Sequence, residues 1–77
     1  MTHYYFHICS RSERIEDREG GDFDNLEGAM VEARLAAREM MADDVRRGRM
    51  HDAPRRFEIV DEEGRLVARL PFVEAID

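Results

Sequence analysis

The chain has 77 residues, 39 % of them charged and 43 % hydrophobic, with a formal net charge of −6. This length allows one small domain, residues 1–77, and no apolar run reaches the roughly 20 residues that a membrane-spanning helix needs. The acidic balance disfavours unspecific binding to nucleic acid or anionic lipid, both of which require a positive field.

A domain of this size buries roughly 60–65 % of its unfolded surface, so extra burial against a partner would help it. The single cysteine, Cys9, excludes an internal disulfide and suits a reducing compartment. The start, Met1-Thr2-His3-Tyr4-Tyr5, lacks the basic and long apolar regions of a secretory signal, so a cytoplasmic location is expected. All 12 basic residues are arginine. A GC-rich genome accounts for this; the alternative is selection for forked pairing with carboxylates.

In chain order, residues 3–9 read as a strand rich in aromatic and β-branched side chains. Tyr4, Phe6 and Ile8 face one way, and His3, Tyr5, His7 and Cys9 the other. Residues 10–13 are turn-like. Residues 14–17 form a short return strand with Ile15 inward, and 18–24, with Gly20-Gly21, form a loop. A helix is predicted over 26–47, capped by Asp24 or Asn25; with Asp24 as the cap, Glu27 takes the capping-box position. Leu26, Ala29, Met30, Ala33, Ala36, Ala37, Met40 and Met41 share one helix face, and Gly48 is the stop.

Residues 50–54 connect to a strand at 56–60, with Phe57 and Ile59 opposite Glu58 and Val60. Residues 61–64 make a hairpin turn. In the returning strand Leu66, Ala68, Leu70 and Phe72 point to the core. Pro71 ends the strand or lies on an edge. Residues 73–77 form a short tail of one helical turn. The order is β-β-α-β-β: an α+β domain with a four-stranded antiparallel sheet and one long helix on one face. The other face would show Tyr5, His7, Val60 and Val67 to water.

Charge is unevenly placed. Residues 13–27 are dominated by acids, and residues 46–56 by Arg46, Arg47, Arg49, Arg55 and Arg56. Acids at a helix start and arginines at its end both suit the macrodipole, so the basic end reads as structural before it reads as an anion site. Arginines of 46–56 reading an acidic surface on a partner is the functional alternative.

Several constellations invite chemistry. His3, His7 and Cys9 on one strand face could help hold zinc, but a closed site needs a fourth ligand, from His51 or an acid, and paired ligand spacings are absent. Asp22-x-Asp24 begins like a calcium loop without the following glycine and distal glutamate. Gly20-Gly21 lacks the phosphate-loop pattern. Ser10 and Ser12 lie near His7 with no third member. Glu62-Glu63 sit in a turn too exposed to shift their acidity usefully. No metal, no cofactor and no catalytic residue are therefore assigned. The more telling feature is a second apolar stripe on the back of the helix: Val31, Leu35 and Ala42, with Val45 at the margin and Arg38 among them. A solvated helix back should be polar, so this stripe is expected to contact another subunit.

The opening Tyr4-Tyr5-Phe6-His7, the Asn25-Leu26-Glu27 segment with Ala29 and Glu32-Ala33, and Phe57-Glu58-Ile59-x-Asp61-Glu62-x-Gly64-Arg65 with Leu70-Pro71-Phe72 form an ordered set. In this set the chain resembles a family of small uncharacterised proteins of soil and plant-associated alphaproteobacteria, a domain of unknown function. The resemblance spans nearly the whole chain and implies a bacterial, cytoplasmic protein with no activity to transfer. More loosely, the element order is similar to small partner domains of toxin–antitoxin pairs. The expected function is a noncatalytic protein-interaction module, homodimeric and able to dock a protein partner. An antitoxin-like regulatory partner is the alternative, with weak DNA binding by this chain alone.

Overall fold

A computed structural model describes residues 1–49 and 53–76. The elements are β1 (Thr2–Cys9), β2 (Arg14–Ile15), β3 (Gly21–Phe23), α1 (Leu26–Arg46), β4 (Arg56–Val60), β5 (Leu66–Pro71) and a 3-10 helix (Phe72–Ile76). The sheet is antiparallel throughout, in the order β2-β1-β4-β5, with β3 also on β1. The α+β class and the one long helix across one face are as expected; among the described residues the sheet has five strands rather than four. The fifth is β3, which forms where a loop was expected at 18–24. Residues 50–52 of the predicted connector 50–54, including His51, and the end of the tail at Asp77 lie outside the described residues.

β1 explains the fifth strand. Its Ile8 and Cys9 pair with Ile15 and Arg14 of β2, and its Thr2, His3 and Tyr4 pair with Phe23, Asp22 and Gly21 of β3. The two are halves of one return strand, interrupted at residues 16–20. In the gap the Phe6 N–H has no strand carbonyl opposite it and donates instead to Asp17 Oδ2 at 3.1 Å. A carboxylate thus stands in for the missing backbone acceptor, so the ladder is broken without leaving that N–H orphaned. Gly20, with φ +65°, makes the tight return into β3.

The core lies between the sheet and α1. Ala29, Ala33 and Ala37 are fully buried against Tyr4, Phe57, Ile59 and Leu70, with Leu26, Met30, Ala36, Met40 and Met41 packed around them. Short alanine side chains let the helix lie close on the sheet, and flexible methionines fill the remaining gaps. Asn25 caps the helix: its Oδ1 accepts the Gly28 N–H at 2.9 Å. The helix ends one residue before the predicted boundary. Arg49 N–H donates to the Asp44 carbonyl and Gly48 N–H to that of Val45, with Gly48 at φ +68°. This is the paired 6→1 and 5→2 pattern of a Schellman stop.

The 3-10 helix closes the core's open end with Phe72 and Ala75. Beneath it, Arg55 lies 4.8 Å from the Phe72 ring and donates to Asp44 Oδ2 at 2.7 Å. The helix terminus, β4 and the chain's end are thereby tied together.

Two inward assignments are corrected. Ile15 pairs with Ile8 and so shares the helix-side face, but at the sheet's edge it lies beyond the helix and is 52 % exposed. Leu66 is 43 % exposed because the β4–β5 register shifts at Ile59/Val60. Ile59 pairs with Ala68 but Val60 with Leu66, so Val67 is an inserted residue and Leu66 moves to the outer face.

Candidate functional site

The face of the sheet away from the helix is built from rows of cross-strand neighbours. Tyr5, Val60 and Leu66 form one row; His7, Glu58 and Arg69 the next; Cys9, Arg56 and Pro71 the third. Not all of it is open to water. His7 is only 7 % exposed, a correction to the expected solvent-facing histidine, and Cys9 is buried too. Residues 16–20 and the Arg14 side chain cover them.

Asp17 organises this cover. Its N–H donates to His7 Nδ1 at 3.0 Å, and its Oδ1 accepts the N–H groups of Glu19 and Gly20, each at 3.1 Å. Burial alone would push the Asp17 carboxyl up; the N–H bonds from Gly20, Phe6 and Glu19 outweigh it and hold the group below its ordinary 3.8. Because His7 Nδ1 is an acceptor, the ring carries its proton on Nε2. Tyr5 stacks parallel to His7 at 6.5 Å and meets His3 edge-on at 4.9 Å. His3 is spent on both nitrogens, Nδ1 on Asp22 and Nε2 on the Glu19 carbonyl, each 2.8 Å away. The Asp22 contact, then that of Glu19, raises its pKa above the ordinary 6.5.

The residues weighed as zinc ligands are therefore held by separate partners: His3 by Asp22 and Glu19, His7 by Asp17, and Cys9 Sγ by Arg14 Nη1 at 3.4 Å. Among the described residues no three His, Cys, Asp or Glu side chains come together as a metal would require. Asp22, the start of the calcium-like pattern, lies in β3.

Beside this row lies a cluster that sequence spacing could not reveal. Glu58 Oε1 accepts from Arg14 Nη1 at 3.0 Å; Glu58 Oε2 accepts from Arg56 Nε and Nη2 at 3.0 and 2.9 Å and lies 3.7 Å from Arg69 Nε. The Arg56 hydrogen bond, against a smaller effect of burial and with Arg14 helping, holds the Glu58 carboxyl below its ordinary 4.5. The three arginines come from β2, β4 and β5. The only hint in the sequence is alternation, which puts Arg56, Glu58 and Arg69 on one face once the register is known.

The basic end of the helix is largely self-contained. Arg46 and Arg47 pair with Asp43, and Arg49 and Arg55 with Asp44. Of the arginines in 46–56, Arg56 alone turns to the outer sheet face. On the back of α1, Val31 and Leu35 are 55 % and 50 % exposed, and Ala42 and Val45 are exposed too. Arg38, placed within this stripe, reaches back across the helix: its Nε donates to the Ala75 carbonyl and locks the 3-10 helix. Leu26, Met30, Val31 and Arg34 line a shallow groove at the first half of the stripe. No helix among the described residues is long and apolar enough to cross a membrane.

No curated protein and no solved structure matches the chain. One family model does, over residues 3–73, which takes in the helix and all but the first residue of the sheet. The chain therefore belongs to the family described as a domain of unknown function, DUF6894.

Proposed function

We propose that the chain is a noncatalytic protein-interaction domain of the reducing cytoplasm that self-associates through the back of α1. The observation that carries this reading is the exposed stripe of Val31, Leu35, Ala42 and Val45. With Arg38 these positions step alternately by four and three residues, the 3.5-residue period of a helix–helix seam. Aligned on one helix face, they form an apolar stripe of the kind that can serve as an interaction surface. An antiparallel pair of helices sets Val31 against Val45 and Leu35 against Ala42. It also brings Glu27 of the first turn and Glu32 of the second towards Arg46 and Arg47 of the second copy, a favourable charge match. The titratable groups of the sheet support structural work rather than proton transfer. His3, Asp17, Glu58 and Asp61 are all engaged in bonds to backbone or in ion pairs.

Analytical ultracentrifugation tests this directly. The wild type is expected to sediment as a dimer at high micromolar concentration, and Leu35→Glu as a monomer with unchanged far-ultraviolet circular dichroism. A wild type that stays monomeric at that concentration overturns the proposal.

A further inference from the structure

The outer sheet face plays no part in the helix-mediated contact and carries its own signature. We propose that it binds a dianionic phosphoryl group at Arg14, Arg56 and Arg69, presented by a small phosphomonoester whose apolar part rests on Tyr5, Val60 and Leu66.

Three guanidinium groups converge on one carboxylate, Glu58, whose side chain is largely buried at 14 % exposure. Glu58 holds all three arginine heads within 3.7 Å of its carboxylate oxygens but neutralises only one of them. A surplus of positive charge on an acidic protein is thereby focused at one point.

Each guanidinium has five N–H donors, and Glu58 takes few of them. Arg14 uses Nη1 on Glu58 and Cys9; Arg56 uses Nε and Nη2; Arg69 makes only the long Nε contact and is 62 % exposed. Among the described residues, the Nη groups of Arg69, Nη1 of Arg56, and Nε and Nη2 of Arg14 remain unspent. Guanidinium forks of this kind match the oxygens of a phosphoryl group. The adjoining row, Tyr5–Val60–Leu66, places an aromatic ring and two aliphatic side chains beside the cluster. An anion alone has no use for that shelf, whereas a phosphomonoester with an aryl or similar group uses both parts.

Isothermal titration at fixed ionic strength, with inorganic phosphate and phenyl phosphate as probes and sodium chloride as the control, decides the matter. Phenyl phosphate is expected to bind about tenfold more tightly than inorganic phosphate, a difference of one decade in Kd. Arg69→Gln, which gives up only one long contact to the fold, is expected to weaken both about fivefold or more. Leu66→Ser is expected to remove the advantage of phenyl phosphate and leave inorganic phosphate unchanged. Circular dichroism melting of both variants confirms that they remain folded. Heats equal to those of chloride, or wild-type affinity in Arg69→Gln, overturn the anion site. Equal affinity for the two phosphates overturns the assignment of the shelf.

Discussion

One strand, β1, builds both faces of this sheet, and the two faces are held together by different physics. Towards the helix it offers Tyr4, Phe6 and Ile8 to a dry layer of alanine, methionine and aromatic side chains. Away from it, His3, His7 and Cys9 are held by hydrogen bonds and an ion pair reached from residues 14–22. The first side depends on shape and excluded water, is indifferent to pH and suffers when volume is removed. The second depends on acceptors in place and suffers when a donor is orphaned or a carboxylate is protonated.

The largest effect is expected on the dry side. Ile59 is the largest fully buried side chain, and Ile59→Ala should cost about 3–4 kcal/mol in urea unfolding, from lost burial and the cavity left behind. A loss below about 1 kcal/mol would show that the helix does not seal that layer.

The next effect tests the tightness of the polar side. A Cβ at Gly20 would stand 2.4 Å from the Tyr4 carbonyl oxygen and 2.7 Å from His3 Nε2, whereas among the described residues nothing lies within 4 Å of one at Gly48. Both residues have a positive φ, +65° and +68°. Gly48→Ala should therefore cost about 1 kcal/mol, the conformational penalty alone, and Gly20→Ala about 2–3 kcal/mol. Equal losses in denaturant melts would mean that residues 16–20 are not pressed onto β1.

The smallest and broadest effect is on pH. Asp17, Glu58 and Asp61 all have folded-state pKa values below their ordinary ones, 3.8 for the aspartates and 4.5 for the glutamate. Their stabilisation is fully present above those ordinary values and is lost as pH falls through the lowered folded ones. The contribution of His3 has the opposite sign: its pKa is raised above 6.5, so its stabilisation is present below 6.5 and lost as pH rises through the folded value. Thermal melts from pH 7 to pH 2 should show an acid limb, and Asp17→Asn should flatten it while lowering stability at pH 7. An acid limb unchanged by Asp17→Asn would place the titrating groups elsewhere.

Legibility in the sequence follows the same division. The helix was readable because its apolar residues recur with helical spacing and local signals bound it, Asn25 at one end and Gly48 at the other. The strands at 3–9 and 56–60 and the turn at 61–64 were readable for similar local reasons. In that turn Asp61 accepts the N–H groups of Glu63 and Arg65 while Gly64 adopts φ +81°. β3 was missed because Gly21-Asp22-Phe23 carries no strand signal of its own; it is a strand only because β1 has a free edge there. Leu66 was misplaced because alternation assumes an unbroken register, and one inserted residue reverses the faces beyond it. Of the stripe Val31, Leu35, Arg38 and Ala42, the apolar members stand exposed as periodicity implied. Arg38 is diverted by the Ala75 carbonyl, a contact 37 positions away that no local pattern encodes.

By itself the sequence determined the α+β class, the helix and its buried face, the main strands and the exposed apolar back, because each rests on residues a few positions apart. Tertiary structure decided the fifth strand, the burial of His7 beneath Asp17 and the gathering of Arg14, Arg56 and Arg69 around Glu58. Those features depend on register and on distant partners, Asp17 for His7 at 10 positions and Glu58 for Arg14 at 44, and hydrogen bonds at such separations exist only once the chain has closed on itself.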